Sequence, residues 1–339
     1  MRIETKEVRD KIKVLDDLVQ KYKQEHPEKK RDWKTYEQRV AERMREAIRA
    51  LEPLIDEAIA SIHIVRGDER GRKPELSLKQ KTILLLLKHL FGKSNREMSC
   101  MLVLFSLLAE VDVSYKTIER LYSDEEVLMV LHNMHMLLLK KKEVNDPDCS
   151  GDGTGSGLTI KKHYATEAQK LKEAMKDEKT LKKKTKSKKK MFVYTFKFMD
   201  LKSRMYLAYG TSFRSEKEAF LQALTMTEKL GIKSIRLDRY YSGQSCVKLL
   251  KEKFKKIKIY LIPKKNVTLK GPWAWKRMLH EFVNDTEKYL SEYFRRNQSE
   301  SGFSEDKNRL GWTIAQRRPD RIDTADFCTL IWHNLFWLG

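Results

Sequence analysis

The sequence predicts an α/β region, with a mixed sheet flanked by helices, preceded by an all-α N-terminal region. Three observations carry this. Up to Lys142 the apolar residues recur at helical spacing and no period-two alternation appears. After Lys142 the pattern changes to a glycine-rich stretch and a lysine-dense run, followed by an alternating hairpin. From there helix and strand patterns take turns to the end of the chain. The 339 residues, 40% of them hydrophobic, are ample for a sizeable core in more than one domain. We divide them into a helical region 1–75, a second helical region 76–141 and the α/β region 142–339.

Val8, Ile12, Leu15, Val19 and Tyr22 alternate at spacings of four and three, which predicts an amphipathic helix over 8–22. HPEKKRD breaks it. Asp32 then suits the N-cap of a second helix whose apolar face runs from Trp33 through Tyr36, Val40, Met44, Ala47, Leu51 and Ile55. Pro53 either kinks or restarts that helix. A polar connector, GDERGRKP, leads to three further helices. The first covers roughly 77–91; the second opens at Ser94, with Glu97 completing a capping box; the third opens near Ser114. That third helix offers Tyr115, Lys116, Arg120 and Tyr122 to a groove, so 76–141 reads either as a helix-turn-helix DNA reader or as an ordinary helical bundle. An apolar helix follows over 124–142. Its His132 and His135 stand three apart with no third ligand in view, and read as structural.

In the α/β region, Asp152 lies within CSGDGTGSGLT, where glycines let the backbone approach a phosphate or ion closely. The stretch has no GxxxxGK[ST] and is not a P-loop. The residues leading into it, EVNDPDCSG, make a poor strand, so Asp152 reads either as a functional carboxylate or as a turn aspartate, with Asp146 and Asp148 as nearby competitors. The lysine-dense segment 161–190 reads as a solvated insertion able to track a DNA backbone. FVYTFKFM (192–199) and 205–209 form a hairpin, 216–230 a helix ending at Gly231, and 233–238 a short strand with Asp238 at its carboxyl end, where α/β sheets bind ligands. A helix from about Ser242 and a last strand over 257–262 complete the series. Trp273 and Trp275 read as core or loop anchors, with base stacking as the alternative. The tail 327–338 is an apolar helix with structural His333 and Asn334.

Charge narrows the partner class. Lys and Arg number 70 against 48 Asp and Glu, a formal charge of +22, which sets up a field for polyanions such as nucleic acid. Cys100, Cys149, Cys246 and Cys328 are scattered without a CxxC pair and read as reduced thiols. The start, MRIETKEVRDK, has no apolar signal core, and the greasiest runs are too short to cross a bilayer. A soluble, cytoplasmic, nucleoid-associated protein is expected.

The stretch 289–311 holds the sharpest pattern. Tyr293, Arg296, Glu300 and Lys307 are spaced by three, four and seven, so on one continuous helix they form a polar stripe roughly 60° wide over about four turns. A solvated helix face is the bland reading. The spacing Tyr-x2-Arg-x3-Glu-x6-Lys, however, resembles the C-terminal signature of a large group of insertion-sequence DDE transposases. Asp152-Gly153-Thr154 is similar to the first-aspartate motif of that group. Asp238-Arg239-x-Tyr241 is similar to the second. The resemblance runs from about Asp152 to the C-terminus. It implies an RNase H-like catalytic domain in which Asp152, Asp238 and Glu300 are catalytic and bind two Mg²⁺ (or Mn²⁺) ions. It further implies that Tyr293, Arg296, Lys307, Arg239 and Tyr241 contact DNA.

The chemistry suits these residue types. Breaking a phosphodiester places charge on an attacking and a leaving oxygen, and two ions about 3.5–4 Å apart stabilise both. Magnesium prefers oxygen donors, which favours carboxylates over histidines. Three carboxylates gathered without a cation would raise one another's pKa. The resemblance thus implies a DNA transposase that cleaves element ends and joins them to target DNA, acting on double-stranded DNA as a homo-oligomer. A metal-dependent nuclease on the same fold and a non-catalytic DNA-binding derivative are the alternatives.

Overall fold

A computed structural model of the chain describes residues 3–27, 32–62, 76–93, 95, 97–99, 101, 113–158, 192–228 and 230–339. The lysine-dense segment 161–190, Cys100 and most of the helix expected from Ser94 lie outside the described residues.

Helices α1 (Thr5–Lys13) and α2 (Leu15–Glu25) replace the one helix expected over 8–22, because the backbone turns out of helical geometry at Val14. Next, α3 (Trp33–Ala60) starts where Asp32 accepts from the backbone N–H groups of Lys34 and Thr35. Pro53 stays inside it, so the helix is not restarted there. Ser77 and Gln80 form a reciprocal capping box at the start of α4 (Leu78–Leu90). Ser114 caps α5 (Tyr115–Leu121), and Asp124 caps α6 (Glu125–Lys141). These helices pack on one another through Leu54, Leu85, Ile118, Val130 and Met134. Lys116 and Arg120 remain exposed on α5, but Tyr122 does not reach a groove. It is fully buried, and its hydroxyl sits 2.6 Å from Lys88 Nζ.

The sheet has six strands: β1 (Asp148–Leu158), β2 (Phe192–Asp200), β3 (Tyr206–Ser212), β4 (Ser234–Arg236), β5 (Lys258–Tyr260) and β6 (Thr313–Ile314). The order is β3-β2-β1-β4-β5, with β2 antiparallel to both neighbours, β1, β4 and β5 parallel, and β6 joined to the far end of β1. The stretch around Asp152, poor as a strand by composition, is thus a central strand and not a turn. The reason is visible once the register is known: SGDGTGSG alternates glycine and polar residues with period two. Ser150, Asp152 and Thr154 share one face; Gly151, Gly153 and Gly155 share the other. A Cβ at Gly151 would lie 2.7 Å from Leu237 and 2.8 Å from Phe196, so side chains from neighbouring strands fill that face instead.

On the glycine side lie α7 (Glu216–Met226) and, after a short 3-10 turn (Arg239–Tyr241), α8 (Gln244–Lys253). Gly210 in β3 lets α7 approach closely, since a Cβ there would lie 2.2 Å from Ala219 O. The opposite side carries α10 (Thr286–Phe294), α11 (Asn297–Leu310) and α12 (Pro319–Phe336), while α9 (Trp273–Asn284) packs with α8, α10 and α1. Across β3, Asn334 brackets the backbone of Tyr206, accepting from its N–H at 2.7 Å and donating to its carbonyl at 2.8 Å. Trp332 donates its indole N–H to Leu86 O, so α12 is shared by the helical region and the sheet. One apolar cluster accordingly runs from Leu85 and Met134 through Ile331 and Leu335 to Met199 and Tyr206.

Candidate active site

Three elements bring three carboxylates to one place. Parallel pairing sets Ser150 beside Arg236, and two residues beyond that pair stand Asp152 on β1 and Asp238 just past β4. Neighbouring strands lie about 4.8 Å apart, so register alone puts the two aspartates level and adjacent. The third comes from the first turn of α11. There Ser299 hydrogen-bonds Ser150, whose hydroxyl also lies 3.3 Å from Arg296 O. This pair of serines pins the start of α11 to β1 and carries Glu300 to the aspartates.

At the centre is Arg296. Its guanidinium lies 3.0 Å from Glu300 Oε1, 3.8 Å from Asp238 Oδ1 and 4.0 Å from Asp152 Oδ2. Burial pushes the Asp152 carboxyl up to about 6, and Glu300 and Asp238 add to the rise, while the Gly153 N–H and Arg296 oppose it. The Arg296 guanidinium is itself half-buried above the ring of Tyr293, 5.5 Å from its centroid. Burial works against its charge; Tyr293 and the three carboxylates more than offset that and hold its pKa above the ordinary value. Further along the same face, Lys307 donates to Thr154 Oγ1 at 2.7 Å and lies 4.9 Å from the Trp312 ring, with burial pulling its pKa down.

The expectation of one continuous helix over 289–311 is corrected. Tyr293 belongs to α10, and Arg296, Glu300 and Lys307 to the start and body of α11. Between them, the N–H of Arg296 bonds Tyr293 O and that of Ser299 bonds Arg296 O, three-residue steps that tighten and turn the chain. The anchoring of Arg296 O by Ser150 accounts for the turn. Tyr293, Arg296 and Glu300 still gather, with Tyr293 buried beneath Arg296 and no longer first in an exposed row, while Lys307 stands further along α11 at Thr154.

The other named residues separate. Arg239 is half-buried beside Asp238. Tyr241 is buried and donates at 2.7 Å to Glu216 Oε1, a partner within the protein; burial, then Glu216, push its pKa up. Its neighbour Tyr240 is the exposed tyrosine of this turn. Asp148 takes a hydrogen bond from Ser234 and Asp146 pairs with Lys233 at 3.4 Å, both at the opposite end of the strands. Trp275 is core, donating to Thr268 O at 2.9 Å, whereas Trp273 stands exposed. His135 lies 3.0 Å from Leu207 O, and His132 packs on Phe327. Cys149, Cys246 and Cys328 are free thiols. A concavity of about 820 Å³ lined by Asp146, Lys233, Lys255 and Lys258 lies at that opposite end and does not include the three carboxylates.

Sequence reasoning missed Ser150, Ser299 and Glu216. The serines were legible only as members of the glycine–polar alternation and of a helix first turn. Glu216 had no signal: it lies against Gly153, where a Cβ would come within 2.0 Å of its Cδ.

Compared with known proteins, the chain is 40% identical over 339 residues to a protein of Archaeoglobus fulgidus described as a probable transposase for insertion sequence element ISA1214. The alignment covers 99% of this chain and 97% of that protein. The chain belongs to the insertion-sequence transposases. No family model matches this transposase, and no solved structure matches it. Among its described residues, no helix is long and apolar enough to cross a membrane.

The donor set of the transposase fits a hard divalent cation in kind, since three carboxylates from separate elements converge. Among the described residues, no three His, Cys, Asp or Glu side chains stand close enough to close on an ion, and Arg296 lies among the three carboxylates.

Proposed function

We propose that the chain is a DDE transposase that cleaves the ends of its insertion sequence and joins them to target DNA. The observation that carries this reading is the meeting of Asp152, Asp238 and Glu300 around Arg296, within 4.0 Å of its guanidinium. The strand order β3-β2-β1-β4-β5, with β2 antiparallel, supports an RNase H-like catalytic domain. Asp152, Asp238 and Glu300 would hold two Mg²⁺ or Mn²⁺ ions. Such ions, when bound, stabilise the attacking and leaving oxygens of an in-line displacement.

The protein's own residues do the positioning. Lys307, anchored at Thr154, presents an ammonium along β1 from the carboxylates, where a phosphate oxygen of the DNA backbone takes it as partner. Arg239 and Arg296 supply guanidinium donors on the other side, suited to two-pronged contact with phosphate. Tyr293 supports Arg296 from beneath, and Tyr241 braces Glu216 against β1. The +22 formal charge draws double-stranded DNA and makes the binding salt-dependent. Pairing two element ends requires more than one active site, so the working form is a homo-oligomer on DNA, in the cytoplasm with the nucleoid.

The test is a cleavage and joining assay with purified protein, end DNA of the element and Mg²⁺ or Mn²⁺. The expected result is cut ends and joined products, both absent in Asp238→Ala and Glu300→Ala. Unchanged activity in either variant would remove the assigned site. Cut ends that never join would make the protein a nuclease on the same fold.

A further inference from the structure

We infer that Arg296 is a placeholder cation: it occupies the position that a divalent ion takes among Asp152, Asp238 and Glu300, so ion entry and Arg296 departure are one coupled event. The inference rests on the site assignment above.

The charge count is the first argument. One guanidinium faces three carboxylates, leaving two negative charges unbalanced; a divalent ion in its place leaves only one. Distance is the second. Hard divalent ions bind oxygens at about 2.0–2.6 Å. Carboxylates held 3.0–4.0 Å from a guanidinium nitrogen reach such spacing only by closing in, and the guanidinium fills the space into which they would close.

The third argument is how loosely Arg296 is held. Its Nε is buried without a hydrogen-bond partner, and two of its three carboxylate contacts are at 3.8 Å or beyond, too long for hydrogen bonds. Arg236, one strand away, shows what a permanently seated arginine looks like here. Its Nε donates to Glu292 O at 2.8 Å, its other nitrogens bond Ser234 and the Glu292 carboxylate, and the side chain is 2% exposed. Access is the fourth. The Asp238 and Glu300 side chains are 43% and 51% exposed against 18% for Arg296, so an ion meets these two carboxylates directly from solvent. Once displaced, the guanidinium stays tethered beside the site, where a scissile phosphate is the next anion to arrive.

The experiment is a Mn²⁺ titration of chelator-treated full-length protein, read by calorimetry and by the electron spin resonance of free Mn²⁺. Removing a cation this close to the ligands should tighten Mn²⁺ binding about tenfold or more in Arg296→Ala and Arg296→Gln, and Arg296→Lys should restore weaker binding. In the unaltered protein, phenylglyoxal modification of Arg296, followed by mass spectrometry, should speed up several-fold when Mn²⁺ saturates the site; this arm needs no variant to fold. Equal or weaker Mn²⁺ affinity in the neutral variants, or slower modification with Mn²⁺, overturns the placeholder role. Asp238→Asn separates the two ideas. If it abolishes Mn²⁺ binding while the Arg296 variants bind no more tightly, only the placeholder fails; if Mn²⁺ binding survives it, the site assignment fails as well.

Discussion

Asp152 and Lys197 are register partners on adjacent strands and point to the same face of the sheet, yet they belong to opposite kinds of charge cluster. Asp152 joins Asp238 and Glu300 around one guanidinium at a rim open to solvent. Lys197, 2% exposed, is sealed beneath α11 and α12, 3.8 Å from Asp306 and 3.6 Å from Asp326, with His333 Nδ1 2.7 Å from Asp306. In the sealed cluster, burial works against the Asp306 charge, but His333 and Lys197 hold its pKa below the usual value. Burial pushes Asp326 up to about 6 despite Lys197. The contrast teaches how to separate a structural charge cluster from a working one. Where carboxylates are sealed from water against a buried lysine and a histidine, the charges hold elements together. Where carboxylates gather at a rim open to solvent, as Asp238 and Glu300 do, they stay within reach of a partner from outside.

The comparison breaks most visibly in activity. Asp238→Ala or Glu300→Ala should lower the cleavage rate by about 10³-fold or more, roughly 4 kcal/mol in the barrier. Their melting temperatures should hardly move, because Arg296 keeps two carboxylate neighbours; a large loss of stability would show that the open cluster is structural after all. Lys197→Ala should behave in the opposite way. Leaving Asp306 and Asp326 buried without their lysine should cost about 3–5 kcal/mol in denaturant unfolding.

A pH series sharpens the distinction. Because the fold raises the Asp326 pKa, the native state keeps that proton longer than the unfolded chain. Its contribution to stability is complete below about pH 4 and is lost as pH rises through about 6. Asp326→Asn should remove that loss, flattening the stability profile between about pH 4 and 6 by about 1–3 kcal/mol relative to the unaltered protein. An unchanged profile would mean that Lys197 keeps Asp326 ionised throughout. The smallest effect is expected from Ser299→Ala. It removes the hydroxyl that ties α11 to Ser150, should cost about 1 kcal/mol of stability, and should lower cleavage by letting Glu300 drift.

What the sequence disclosed, and what it hid, follows the same physics. Helix starts were legible because Asp32, Ser114 and Asp124 act on their own first turns, within three residues. The hairpin 192–209 was legible because β2 carries the aromatic and branched residues that strands favour. β1 was hidden because its fitness for a central position lies in its neighbours: Leu237, Phe196 and Glu216 supply the bulk that its glycines lack. The stripe of Tyr293, Arg296, Glu300 and Lys307 was drawn on one continuous helix, which the structure divides between α10 and α11. A straight helix was assumed, while Ser150, far away in sequence, turns the chain at Arg296. Tyr122 and Tyr241 looked available to DNA because composition cannot distinguish an outward ring from one that has found an internal partner.

Because α12 closes the helical layers and the sheet at once, with Trp332 bonded to Leu86 and Asn334 to Tyr206, the protein resists dissection. A fragment cut to begin at residue 142 would carry all three carboxylates yet bare the flank of α12 that Leu85, Val130 and Met134 cover. Such a piece should clump on expression rather than catalyse, so minimal enzymes derived from this chain would need that flank recoated with polar residues.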